Sequence, residues 1–274
     1  MSIRNHGNDN QRDPFGKADR FSRALLLNPK KLRKGQTRWN QFVQVLNRYA
    51  PPHDRGPLLD FGCGIGYFVH EGLLRGNDIW GVDIRRSKIE RFRKLLDFAD
   101  SPGRWKQRCL VGDGEALPFG TGRFTAVCSW YVLEHLANLA SVMRELVRIT
   151  APSGLVVLRA QDARNGWEGH CRIPWVPFLS GRLAAAWMDE FGAEAIKREG
   201  VWDITQPQVI SILETLGCEI VSKAPEPRVL IERHWDLHSE EALRRTARRV
   251  KALLADGQWQ PQRENLYVVA RTPF

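Results

Sequence analysis

The chain of 274 residues is poor in cysteine, in long apolar runs and in acidic surplus. Each shortage excludes something. Its five cysteines are Cys63, Cys109, Cys128, Cys171 and Cys218, and none stands in a C-x-x-C pair. That spacing argues against a zinc knuckle or a dithiol redox site, and free, inert thiols in or beside apolar runs are expected instead. No apolar stretch approaches the roughly 20 residues that span a bilayer. The polar opening MSIRNHGNDNQRDPFG lacks the apolar segment of a secretory signal, so a cytoplasmic location is expected. No internal repeat or low-complexity segment is evident. Acids number 31 against 41 Lys and Arg, which leaves a formal net charge of +10. Such a balance permits attraction to an anionic substrate or polymer. The bases concentrate at 20–38, 85–94 and 244–251. The second cluster alternates with Ile89, Phe92, Leu95 and Leu96, and the third with Leu243, Ala247, Val250 and Leu254. Both read as wet faces of amphipathic helices. No RNA-binding module stands beside them, so nucleic acid is not the expected partner.

What is present is a hydrophobic content of 43%, enough for a sizeable core, and a distinctive turn. Residues 58–68 read LLDFGCGIGYF, an apolar run feeding Asp60 and then Gly62, Gly64 and Gly66. Missing Cβ atoms let a ligand lie against the main chain, and the helix that follows offers free N–H groups. A second strand, Ile79–Ile84, ends in Asp83, about twenty positions on, where a βαβ unit places its ribose-binding carboxylate. A third strand, Arg108–Val111, leads into Gly112-Asp113-Gly114-Glu115, and a fourth, Phe124–Trp130, leads into Tyr131-Val132-Leu133-Glu134-His135. A helix over 137–150 and a strand at Leu155–Leu158 follow. Strand and helix in alternation argue for a parallel sheet covered on both faces, with ligands at the carboxyl ends of its strands. A nicotinamide site is disfavoured, because its G-x-G-x-x-G spacing is absent and nothing later suits hydride transfer.

These pieces together, with GVDI, GDGEALPF, FTAVCSWYVLEHL and RELVRITAPSGLVVL, resemble the class I S-adenosylmethionine-dependent methyltransferases. They are most similar to the ubiquinone and menaquinone biosynthesis branch. The resemblance covers residues 40–160 well and returns at 203–224 and 265–273. It implies an α/β, Rossmann-like sheet, mostly parallel with an antiparallel last strand, and helices on both faces. It also implies S-adenosyl-L-methionine as cofactor and S-adenosyl-L-homocysteine as product. By position, Asp60 and the turn Gly62, Cys63, Gly64 and Gly66 would hold the methionine end. Asp83, with Ile84 beside it, would take the ribose, and Asp113 and Gly114 would read the adenine. Trp130 and Tyr131 would flank the sulfonium, whose positive charge favours aromatic faces. Read as local structure alone, Asp60 and Asp83 would be helix caps and Asp113-Gly114 a turn, readings that the companion motifs outweigh, whereas Trp130 suits core and cofactor wall alike.

The organisation expected is a tail and cap helix over 1–36, then one domain over 37–274 with two inserts. An amphipathic helix is expected over Trp39–Ala50, stopped by Pro51-Pro52. The insert 161–202 carries Trp167, Trp175, Phe178, Trp187 and Trp202 and suits a substrate lid. The insert 225–263 contains a basic helix suited to support that lid or to make a homodimer contact. Methyl transfer to oxygen needs proton removal near the donor. His170 is the first candidate base, ahead of Glu168, Asp162, Tyr131 and His135. Some relatives carry E-x-x-E-H at 131–135 and bind a divalent metal there. Tyr131 replaces the first of those carboxylates, so no metal is expected. The function expected is methylation of a small or medium-sized metabolite at a hydroxyl oxygen. The alternatives are a nucleic-acid methyltransferase and a non-catalytic cofactor-binding partner subunit.

Overall fold

A computed structural model describes residues 27–50, 56–99, 103–194, 200–225, 237–258 and 265–274. The expected tail, Pro51-Pro52 and parts of both inserts lie outside the described residues. In chain order the elements are α1 (Pro29–Tyr49), β1 (Leu58–Phe61), α2 (Tyr67–Leu74), β2 (Ile79–Asp83), α3 (Arg86–Ala99), β3 (Cys109–Val111), β4 (Phe124–Trp130), α4 (Leu139–Ile149) and β5 (Thr150–Gln161). Then come the two short strands β6 (Trp167–Glu168) and β7 (Ile173–Pro174), α5 (Gly181–Glu190), α6 (Gln206–Thr215), β8 (Glu219–Lys223), α7 (Glu240–Ala255) and β9 (Asn265–Arg271).

Seven strands form one sheet in the order β3-β2-β1-β4-β5-β9-β8. β9 runs antiparallel to both of its neighbours, and the β1, β2, β3, β4 and β5 pairings are parallel. Buried strands alternate their side chains between two cores, as a sheet covered on both faces requires. Leu58, Cys128 and Val157 join Trp39, Phe42, Phe68 and Phe92 of α1, α2 and α3. Leu59, Val127 and Val156 join Met143, Leu146, Val209 and Leu213 of α4 and α6.

Local chemistry sets the helix starts. Asn28 accepts hydrogen bonds from the Lys30 and Lys31 amides, with Pro29 at the first helical position. Asn138, Thr205 and Ser239 cap α4, α6 and α7 in the same way. The helix expected from Trp39 begins ten residues earlier, and no break separates a cap helix at residue 36 from the domain. Gly35 allows this course: a Cβ there would lie 2.5 Å from the Tyr67 carbonyl oxygen. α1 therefore crosses directly over the start of α2.

The inserts share a third, separate core. Ile173, Trp175 and Trp187 pack with Leu243, Ala247 and Val250 of α7, and the Trp187 indole donates to the Pro174 carbonyl at 2.8 Å. These tryptophans join the two inserts to each other, while Phe178 and Trp202 stay exposed. On α7, Arg244 pairs with Asp189, Glu190 and Glu240, and Arg245 with Glu241. Much of that basic cluster is thereby engaged within the fold.

The Trp39 indole, 2% exposed, meets Phe42 and Phe68 with ring centroids 6.1 and 5.3 Å away. Trp39→Ala is expected to lower stability in urea unfolding by about 3–5 kcal/mol. Asn40→Ala on the exposed side of the same helix should stay within about 0.5 kcal/mol.

Candidate active site

The glycine turn sits where β1 stops. β2 holds it: the Val82 carbonyl accepts from the Gly62 and Cys63 amides at 2.8 and 3.0 Å, and Asp83 Oδ2 accepts from the Gly64 amide at 2.9 Å. Gly62, Gly64 and Gly66 all take left-handed φ values, at 71°, 59° and 75°. A Cβ at Gly66 would stand 2.3 Å from the Phe92 ring, and one at Gly62 would strike Val132. Conformation and close approach thus both demand glycine at these two positions.

Two cavities meet at Gly62. The larger, about 510 Å3, is lined by Gly64, Asp83, Ile84, Asp113, Gly114, Tyr131 and His135 among others. The smaller, about 200 Å3, is lined by Asp60, Gly62, Cys63, Trp130 and by Lys31, Lys34 and Arg38 of α1. The sequence reading expects a basic cap helix within residues 1–36 but assigns none of its side chains to the cofactor site, where Lys31, Lys34 and Arg38 stand. They lie at i, i+3 and i+7 with Gly35 between them, a single helical face, and that periodicity was the available signal. Arg38 stands 5.9 and 5.2 Å from the ring centroids of Trp130 and Tyr131. Trp130 lines the cavity and also packs in the core against Phe68, so its two readings coexist.

Asp60 is buried, and desolvation pushes its carboxyl up to about 7, against the opposing pull of the Arg38 guanidinium. Burial also lowers the Arg38 and Lys34 pKa values. Asp83 Oδ1 accepts from the Arg85 amide and Asp113 Oδ1 from the Glu115 amide, each bond fixing a loop beside the larger cavity. Asp83 thus shapes the turn ahead of α3, and combines that with its place in the cavity wall.

Tyr131 joins this pair of cavities to a third, of about 310 Å3, lined also by Glu134, Gln161, Asn165, Trp167, His170 and Asn265. It adopts a strained φ of 60°, and its hydroxyl accepts from Asn265 Nδ2 at 3.1 Å. His170 and His135 come together here, with rings 5.1 Å apart. Buried Glu168 accepts from the His170 amide and pairs with its Nδ1, both at 2.8 Å. Glu168 thus orients the imidazole. Glu134 is buried, and desolvation pushes its carboxyl up to about 7. Burial and the neighbouring His170 lower the His135 pKa. Donor atoms of Glu134, His135 and His170 lie within 4.8 Å of one another; these are the three groups left as candidate metal ligands once Tyr131 replaces the first carboxylate of the motif. Asp162, a candidate base from sequence, is spent elsewhere: it binds Arg164 at 2.7 Å and accepts from the Gln206 amide at 3.1 Å, anchoring the insert to α6.

Comparison with known proteins agrees with this architecture. A family model described as a methyltransferase domain matches residues 32–223. Over 135 residues the chain is 34% identical to malonyl-[acyl-carrier protein] O-methyltransferase of Halorhodospira halophila, covering 45% of this chain and 43% of that one. Over 123 residues it is 30% identical to the ubiquinone/menaquinone biosynthesis C-methyltransferase UbiE of Desulfotalea psychrophila, covering 44% and 46%. The match spans less than half the length of these curated relatives. Among solved structures, the PH0226 protein of Pyrococcus horikoshii shares the fold with a TM-score of 0.53 at 18% identity, over 87% of this chain and 91% of that one. Among the described residues no helix is long and apolar enough to cross a membrane.

The raised Asp60 pKa makes a signed expectation for a ligand whose ammonium group needs the ionised carboxylate. Below pH 7 the carboxyl is mostly protonated, so affinity for S-adenosylhomocysteine should weaken about tenfold for each pH unit lost. Calorimetry between pH 5.5 and 8 checks this, and Asp60→Asn should bind weakly with the pH dependence flattened.

Proposed function

The chain belongs to the methyltransferase-domain family, and from that premise we propose that it transfers the methyl group of S-adenosylmethionine to a hydroxyl oxygen of a small or medium-sized metabolite. The observation that carries the oxygen acceptor is the oriented His170 beside Glu168, in a cavity that shares Tyr131 with the cofactor cavity. Asp60 holds the donor's ammonium, while Lys34 and Arg38 hold its carboxylate in the small cavity. Asp83 accepts from the ribose hydroxyls. Asp113 with Gly114 receives the adenine, over Ile84. The aromatic faces of Trp130 and Tyr131 attend the sulfonium.

Methyl transfer is an in-line displacement. The acceptor O–H bond breaks and its proton passes to the His170 imidazole, with Glu168 stabilising the cation that forms. The oxygen lone pair forms the new O–C bond. The S–C pair returns to sulfur, which leaves as a neutral thioether. Holding donor and acceptor in line can supply about 7–11 kcal/mol, and the positioned base a further factor of about 10²–10⁴. The half-exposed wall of Trp167 and Tyr131 suits an acceptor with apolar or ring surface.

Two substitutions separate the roles. His170→Asn should lower turnover by about 10²–10⁴-fold while S-adenosylhomocysteine affinity stays unchanged, read by steady-state kinetics and calorimetry. Asp83→Asn should weaken cofactor binding by about 10–100-fold, as loss of a charge-assisted hydrogen bond predicts. Cofactor binding with no turnover on any hydroxylated acceptor would favour a non-catalytic binding subunit instead.

A further inference from the structure

We infer that Glu134, His135 and His170 form a binding site for a divalent transition-metal cation at the mouth of the acceptor cavity. The inference rests on reading that cavity as the acceptor site. Three observations converge on it.

First, the three donor atoms already lie within 4.8 Å of one another. A tetrahedral cation with bonds of about 2.0–2.2 Å holds its ligands about 3.4 Å apart. Closing that difference takes small rotations of the two exposed imidazoles, with the buried carboxylate as the fixed point. Second, Oε2 of Glu134 is buried and has no hydrogen-bond partner among the described residues. A carboxylate oxygen in that state is costly unless a cation or donor meets it. Third, Nδ1 of His170 is engaged by Glu168 at 2.8 Å, which places the neutral ring's lone pair on Nε2. A buried carboxylate behind a ligating histidine is the usual way a protein fixes the tautomer and raises ligand basicity. Two histidines, one of them backed by Glu168, and a buried carboxylate make a donor set suited to zinc, cobalt or iron rather than to magnesium or calcium.

The place of the cluster gives it a use. His135 lines the cofactor cavity and His170 the acceptor cavity. A cation there would keep open positions for the acceptor oxygen and make its hydroxyl more acidic. The O–H proton would then pass to bulk water, the oxygen pair would form the O–C bond, and the S–C pair would return to sulfur. His170 serves as base in the metal-free chain and as ligand in the loaded one. The resemblance to metal-binding relatives fails at Tyr131. Here the third donor comes instead from 35 positions beyond His135, through the fold of the insert.

The test uses untagged full-length protein stripped with chelator. Co²⁺ titration should give one equivalent with a visible d–d absorption band, and calorimetry with Zn²⁺ should give the same stoichiometry, whereas Mg²⁺ should give no heat. Glu134→Gln and His170→Ala should each lose the band and weaken Zn²⁺ at least 100-fold. Glu168→Gln should weaken it about 10–100-fold. Retained S-adenosylhomocysteine binding in every variant reports that the fold is intact. A wild-type chain that binds S-adenosylhomocysteine but shows no Co²⁺ band, or a band that persists in Glu134→Gln and His170→Ala, overturns the metal site and leaves the methyltransferase reading standing. Failure of the acceptor-cavity reading itself would appear separately, as unchanged turnover in His170→Asn.

Discussion

The clamp between β2 and the glycine turn is the constraint on which the site depends. The Val82 carbonyl and the Asp83 carboxylate together take the amides of Gly62, Cys63 and Gly64. These bonds satisfy backbone donors that would otherwise be stranded at the end of a buried strand. They also open the turn toward Phe92 and Val132 at distances that no Cβ could occupy. Once the turn is held, Asp60 below it and Asp83 beside it face different cavities, and Tyr67 and Phe68 at the start of α2 line the smaller one. Bound as proposed, S-adenosylmethionine would be divided by charge, with its ammonium and carboxylate on one side of Gly62 and its nucleoside on the other.

Electrostatics follow from that geometry. Acids gathered at the carboxyl ends of parallel strands are costly to ionise when buried, and the raised pKa of Asp60 expresses that cost. α1 answers with Lys31, Lys34 and Arg38, brought close because Gly35 lets the helix lie on the Tyr67 carbonyl. Arg38 opposes the upward shift of the Asp60 carboxyl, and under the proposed function the same basic face receives the ligand carboxylate. A basic chain overall is thus consistent with a local task, since Arg244 and Arg245 on α7 are occupied by acids within the fold.

The inserts add what the sheet cannot supply. Trp175 and Trp187 build a small core with α7, and Asp162 fastens the base of the first insert to α6. With both ends secured, the loop Trp167–His170 hangs over the Leu133–His135 turn. Trp202 ties the far end of the same insert back to that turn, its amide donating to the Glu134 carbonyl at 2.7 Å. The polar cluster of Glu134, His135, Glu168 and His170 therefore belongs to two distant stretches of chain held by packing rather than by local propensity.

Local pattern was enough to determine the alternating strands, the glycine turn, the acids at the strand ends and the amphipathic faces of α3 and α7. Each of these is set by periodicity or by a backbone conformation that few residues adopt. The cofactor was legible for the same reason, since Asp60, Asp83 and Asp113 mark successive strand ends that a parallel sheet must bring to one edge. Pattern could not show that α1 runs unbroken from Pro29 and lends its basic face to the site, because that depends on how Gly35 meets Tyr67. Nor could it show that Asp162 is consumed as an anchor while Glu168 backs His170. Only tertiary structure decided those matters. A side chain's partners across 30 or more residues are chosen by which surfaces are buried together, and that is a property of the assembled cores rather than of any window of sequence.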